Sequence, residues 1–338
     1  MTDQNISASE VDVETVVSQL TSQKADSYQL DGIQKSRVLI NKHKKHIRDI
    51  LPGLEYCLST RSSVIVQRNA LELLDEVASE KPVAVVPATR AVKNLLIHSS
   101  HDTVQKLAIH VLLRTNYENK AVMNDVVEGV INCLVSDEYD NELLKQYLTV
   151  LTDNPNIRSK YIGKHIDAVG DIATEEWVSE TNRAAVLSII GSEISNDKML
   201  LKEFCDRYQS LTHNDDADVI MNLLAIAVDL SGFGCDVPSE YIDMAVESLT
   251  APHQQHRYNA VCLLKSVGKH DPSMVESHTD KIEILLDDDD EAVVTQACLT
   301  LGEIDATSKM NVVRAVAEDD ARNDAIRQTA REVVDKLS

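Results

Sequence analysis

Three histidine pairs recur at HxxH spacing: His43/His46, His98/His101 and His253/His256. Three residues apart on a helix, two imidazoles share a face and can grip one metal. No pair has an acidic or cysteine third ligand at clear spacing, so all read as surface histidines. The cysteines Cys57, Cys133, Cys205, Cys235, Cys262 and Cys298 are scattered, without a CxxC pair. That is the usage of small core residues in a reducing compartment, which makes the cytoplasm the expected setting. Asp287–Asp290 lacks the alternating ligands and glycine of a calcium loop. It reads instead as an N-cap with negative charge at the positive end of the next helix. The only tryptophan, Trp177, stands in the acidic context EEWVSE and reads as a packing residue near a turn. There is no GxSxG, Walker A or GxGxxG motif. Catalytic, metal and cofactor residues are therefore all assigned as none.

Charge is the remaining chemistry. The formal charge is −22, from 33 basic and 55 acidic residues, which disfavours nucleic acid and anionic membranes as partners. Such acidity also resembles halophilic archaeal proteins, whose self-repulsion molar salt screens over about 3 Å. Residues 1–164 carry net −2 and residues 165–338 net −20. One basic stretch stands out, QKSRVLINKHKKHIR, with Lys35, Arg37, Lys42, Lys44, Lys45 and Arg48 and no acid inside it. It is open to three readings: a solvated cap, a docking patch for an acidic partner or for the chain's own acidic end, or a nucleic-acid contact. Further cations, Arg90, Lys93, Arg158, Lys160 and Lys164, fall on later helices of the first half. Glu240, Asp243, Glu247, Glu276, Asp280 and Glu283 occupy the matching helices of the second.

These side chains need elements to hold them. Residues 1–30 are polar and weakly patterned and are expected to form a mobile or weakly helical tail, with Val11, Val13, Val16, Val17 and Leu20 spaced for one short helix. From residue 31 apolar spacing is helical throughout, and Ile33, Ile40, Ile47, Ile50, Leu51 and Leu54 lie near one face of a capping-helix region over 31–61. A helix template then repeats over 62–338, anchored at Ala70, Ala108, Leu148, Ala185, Leu224, Ala260, Ala297 and Ala330. The steps of 38, 40, 37, 39, 36, 37 and 33 residues fit two helices and two turns per unit. Between the anchored helices lie second helices, among them 83–97, 122–135, 162–174, 199–211, 239–249 and 279–286. No apolar run reaches the roughly 18 residues of a membrane span, and the N-terminus has no secretory pattern.

DDDDEAVVTQACLTLGEI and DDARNDAIRQTAREVV carry a resemblance: an acidic turn, a branched apolar residue, a polar position, a small residue, then an apolar close. The pattern resembles HEAT repeats of the armadillo-type family, particularly the short subtype of phycobilisome-lyase proteins. The resemblance implies an all-α, right-handed α-α superhelix of about eight helical hairpins, a single solenoid over 31–338. It implies a protein-binding scaffold or adaptor contacting a protein partner through its second helices. Lys35, Arg37, Lys42, Lys44, Lys45, Arg48, Arg90, Lys93, Lys160 and Lys164 are the candidate contact residues. The alternative is a lyase or chaperone acting on a bound group such as a tetrapyrrole. HEAT-like deoxyhypusine hydroxylases use His-Glu pairs, which this chain lacks, and HEAT-like DNA glycosylases need a basic aromatic groove that its composition opposes.

Overall fold

A computed structural model describes residues 12–43, 46–59, 61–116, 120–136 and 139–338, and among these it holds helices and turns but no strand. Lys44 and Lys45 lie outside the described residues, and Lys42 falls on a helix end whose side chains are likewise outside them. No described helix is long and apolar enough to cross a membrane.

The chain divides into two compact units, one ending at Val169 and one beginning at Gly170. The first contains α1 (Val13–Leu20), α2 (Asp26–His43), α3 (Ile47–Cys57), α4 (Val64–Glu80), α5 (Pro82–Val85), α6 (Thr89–His98), α7 (Asp102–Asn116), α8 (Lys120–Ser136), α9 (Asn141–Asp153) and α10 (Pro155–Tyr161). The short helix α11 (Ile166–Asp171) spans the boundary. The second contains α12 (Glu180–Ile194), α13 (Lys198–Arg207), α14 (Ala217–Gly232), α15 (Ser239–Ser248), α16 (Gln254–His270), α17 (Ser273–Glu276), α18 (Thr279–Ile284), α19 (Glu291–Glu303), α20 (Met310–Glu318) and α21 (Asp324–Leu337).

Each unit is a two-layer stack. In the first, α2, α4, α7 and α9 pack in order as one layer, and α1 on α3, then α6 on α8 and α8 on α10, form the other. In the second, α12, α14, α16, α19 and α21 make the first-helix layer. The architecture is an all-α stack of helical hairpins, as the repeat pattern implies.

The repeat has a chemical clock, the N-cap. Ser63, Asp140, Ser179, Asp216, Asp290 and Asn323 each accept a backbone N–H of their helix's first turn. Counting from the cap, the residue at +3 is buried and the one at +7 is fully buried: Val66 and Ala70, Val293 and Ala297, Ile326 and Ala330. This phase corrects three anchors. At +7 stand Tyr147, Val186 and Leu223, one residue from Leu148, Ala185 and Leu224; all three are buried. The steps become 38, 39, 39, 37, 37, 37 and 33, a more even register than residue type alone suggests.

Position +4 does a second job. In four hairpins it holds a long polar side chain that reaches back to carbonyls of the turn before the helix, which no helical N–H can serve, while Leu144, Ile220 and Val294 hold it in three others. Gln67 donates to Ser59 O at 2.9 Å, and Gln105 to Ser99 O at 2.9 Å and Leu96 O at 3.4 Å. Arg183, only 6% exposed, donates to Ala173 O, and to Glu175 O and Val178 O at 3.2 Å each. Arg257 donates to Ala251 O at 3.0 Å and Pro252 O at 3.1 Å. It also forks onto Asp288 of the next hairpin, at 2.6 and 2.8 Å. Close approach between hairpins uses glycine: a Cβ at Gly53 would stand 2.8 Å from Leu20 Cδ1, and one at Gly268 2.5 Å from Ile304 Cγ2.

The structure departs from the sequence pattern in three further places. Residues 13–20 are a packed helix, not a tail: Val16 and Leu20 are fully buried, and Leu20 O accepts from Gln29 Nε2 at 3.1 Å and from Cys57 Sγ at 3.4 Å. The 31–61 region is two helices, α2 ending at His43 and α3 starting at Ile47, so Ile33 and Leu54 lie on different elements. The second helix foreseen over 83–97 is broken into α5, the 3-10 turn Val86–Ala88 and α6, because Pro87 cannot donate within it.

Because the +4 arginine answers several buried carbonyls at once, Arg183→Met should cost about 2–4 kcal/mol in urea unfolding. Ala185→Ser, on a half-buried side chain at the neighbouring position, should stay within about 0.5 kcal/mol. Equal losses at the two positions would reject the cap-based register.

Candidate functional site

The sequence-chosen cations fall into three groups. Lys35, Arg37 and Lys93 are tied within the protein. Lys35 Nζ sits 2.6 Å from Asp31 Oδ2, Arg37 forks onto Glu76 at 2.9 Å through Nε and Nη2, and Lys93 lies 3.8 Å from Glu128. Arg48, Arg90, Lys160 and Lys164 are exposed and make no ion pair with the described residues. Lys42, Lys44 and Lys45 cannot be placed with them. The four open cations lie on α3, α6, α10 and the 3-10 turn Ile162–Lys164, all second-layer elements of the first unit. Arg158 is not among them. It is 5% exposed and donates to Leu151 O at 3.3 Å, so its work is structural.

Arg48 borders the largest groove of the first unit among those described, about 990 Å³ between α3 and α5. Ile47, Leu51, Pro52, Pro82, Val83, Ala84 and Pro87 are its apolar lining, Glu80 and Lys81 line it as well, and Glu55 stands at the far end of the same α3 stripe. Burial raises the Glu55 carboxyl above the usual carboxylate range. Sequence reading missed this groove, although its signal was visible: three of the chain's seven prolines, Pro52, Pro82 and Pro87, line it.

The second unit carries the opposite charge, net −19 over residues 170–338. Asp206, Asp243 and Asp280 are exposed on α13, α15 and α18 at intervals of 37 residues, the repeat length here. Each therefore occupies the same place in successive repeats. Asp206 is 3.5 Å from Lys202, Asp280 and Glu283 hold Lys309, and Asp243 makes no ion pair with the described residues. Glu247 and Glu276 are exposed beside them, and Glu240 is half-buried.

The other sequence candidates resolve individually. Asp290 caps α19, accepting from Ala292 N and Val293 N at 2.9 and 3.0 Å. Asp288 is spent on Arg257. Burial would raise its carboxyl, but Arg257 and the Asp290 N–H outweigh that and hold it below its ordinary range. Trp177 lies in a turn as expected but is 44% exposed, so it is not a packed ring. Burial pushes the Cys57, Cys205 and Cys298 thiols up to about 12, which removes thiolate reactivity. No group of three His, Cys, Asp or Glu side chains converges as a metal site among the described residues.

His253 and His256 do meet, with ring centroids 5.7 Å apart, but they meet at the head of α16. His253 takes the cap position without a side-chain cap bond, and His256, 6% exposed, takes the +3 position held elsewhere by Val, Leu, Ile or, after Ser179, Asn182. Burial, then the neighbouring His253, lowers the His256 pKa, against a smaller opposing pull from Asp218.

No protein-family model matches the chain, and no curated protein does. Solved structures do. An engineered protein matches with 19% identity and a TM-score of 0.61, over 96% of this chain and 88% of that one. A structure from work on a phosphorylation switch in the interaction of cadherin and beta-catenin matches with 15% identity and a TM-score of 0.69. That match covers 95% of this chain and 68% of the other. A designed armadillo repeat protein aligns more loosely, with a TM-score of 0.43. At these identities the likeness is one of fold alone: the chain shares the all-α solenoid architecture of the first two structures.

A folded-state histidine with a lowered pKa withholds a proton that the unfolded chain takes up. Stability is then full above the ordinary histidine value near 6.5 and is lost as pH falls below it. His256→Val should therefore flatten the decline of the urea midpoint between about pH 7.5 and 5.5. Asp288 acts only lower, near the carboxylate range, so it does not blur this window. An unchanged slope in the variant would remove His256 as its source.

Proposed function

We propose that this protein is a non-catalytic scaffold that binds a protein partner across its second-helix layer. The observation that carries the reading is exposed charge on the second helices of each unit, with the second unit's carboxylates in repeat register. Open cations stand at Arg90, Lys160 and Lys164 in the first unit, and carboxylates recur every 37 residues in the second. A stacked scaffold holds such side chains at fixed pitch before a partner arrives, so little ordering entropy is lost on binding. Like-charge contact with a wrong partner is costly, which gives the surface its selectivity. The reading keeps a cytoplasmic setting and a single partner whose charge is itself asymmetric.

Arg90→Glu, Lys160→Glu and Lys164→Glu together should cut recovery of the bound partner from a native-salt lysate at least tenfold, quantified by mass spectrometry. All three side chains are exposed, so the circular dichroism spectrum and urea midpoint should not move. Undiminished recovery would discard these residues as contacts.

We further propose that the net charge of −22 is an adaptation to a saline interior, in keeping with the halophile-like composition. Raising KCl from about 0.1 to 1 M shortens the screening length from about 10 to 3 Å. The thermal midpoint should rise across that range. A flat or falling midpoint would reject the saline reading.

A further inference from the structure

The groove between α3 and α5 has a polarity of its own. Arg48, Leu51, Pro52 and Glu55 follow one another on a single stripe of α3, at i, i+3, i+4 and i+7. A cation therefore stands at one end and a carboxylate at the other, seven residues or about 10 Å apart along the helix. Along α3 the lining between them is apolar, and the facing wall sets Glu80 and Lys81 beside Pro82, Val83, Ala84 and Pro87. Val83 is 58% exposed, far more than an aliphatic side chain needs to be beside Leu51, which is 4% exposed. Prolines set the opposite properties of the backbone. Pro52 has no N–H for the Arg48 carbonyl four residues back, and Pro87 none for the Val83 carbonyl. Two groove residues thus keep a main-chain acceptor that the helix cannot serve in its usual i+4 manner.

We propose that this groove docks a short extended segment of a partner protein that reads acid, bulky aliphatic, then base. Its carboxylate meets Arg48, its aliphatic side chain enters between Leu51, Val83 and Pro87, and its base meets Glu55. An extended chain rises about 3.3 Å per residue, so the two charged positions lie three residues apart. The volume, about 990 Å³, suits such a segment with one anchoring side chain. Main-chain N–H groups of the segment can donate to the carbonyls that proline leaves short of a donor. The inference rests on the protein-binding reading but uses Arg48 alone among the open cations.

The test is methyl NMR of the full chain titrated with the blocked peptide Gly-Asp-Leu-Gly-Lys-Gly. Its comparison peptides carry Asp at both charged positions, Lys at both, or Gly in place of Leu. The mixed peptide should shift the Leu51, Val83 and Ala84 methyls and bind at least about fivefold more tightly than any of the three comparisons. Arg48→Glu leaves three carboxylates in the groove, at positions 48, 55 and 80, against the single cation Lys81, so the variant should prefer the doubly basic peptide. Arg48 is exposed and its loss leaves the fold intact, which the unshifted core methyls would document. No groove shift up to about 10 mM peptide, or the same peptide ranking in Arg48→Glu, would overturn the proposal. So would groove shifts that follow protein concentration without peptide, since the occupant would then be a second copy. Loss of partner capture on reversing Arg90, Lys160 and Lys164 with no groove binding would leave the scaffold reading standing and this one fallen.

Discussion

At four of its first helices the stack depends on side chains that satisfy the carbonyls of the turn leading into the helix. A helical hairpin buried against its neighbours takes those turns partly out of water, and an unserved buried carbonyl costs about 1–3 kcal/mol. Where Gln67, Gln105, Arg183 and Arg257 occupy the fourth position after the cap, the side chain supplies the missing donors from inside the helix. Cap, turn and first helix then close as one unit with a fixed phase. With the phase fixed, the +3 and +7 residues must face the neighbouring hairpin, and the second helix must follow at one place in the layer.

Function inherits that phase. Asp206, Asp243 and Asp280 are remote in sequence, yet they share one place in successive repeats because the repeats between them have equal length. A surface built this way needs no loop to position its side chains. The second layer has its own internal ties, and they are polar as well: Tyr208 OH donates to Gly170 O and Tyr241 OH to Cys205 O, both at 3.1 Å. These hydroxyl bonds join α13 to α11 and α15 to α13. They stiffen the layer whose outer side is the candidate surface.

Much of the fold was legible in the sequence because helical spacing and acidic caps are local. The register was less so. Aligning on a small residue selects Ala185, but the cap at Ser179 places Val186 at the buried position, since what matters is angular place on the helix and not side-chain size. The candidate site was legible only as charge. Lys35 and Arg37 look free in the sequence, and only packing of α2 on α4 brings Glu76 to Arg37. The N-terminal helix was hidden for the same reason: its apolar residues are few, but Leu20 fills the space that Gly53 leaves open thirty-three positions later.

The distribution of cations follows from the same economy of donors. In the acidic second unit the guanidiniums at 183, 257 and 322 are drawn onto turn carbonyls, and Lys309 onto two carboxylates. A chain with so many acids has every reason to use its cations internally, where each one satisfies carbonyls or carboxylates that would otherwise repel or lie unserved. The first unit instead answers its turns at Gln67 and Gln105 with neutral side chains. Glutamine there does the carbonyl work without using a charge, and Arg48, Arg90, Lys160 and Lys164 are left facing outward. Neutral donors at two buried fourth positions of the first unit, Gln67 and Gln105, thus go together with its outward-facing cations.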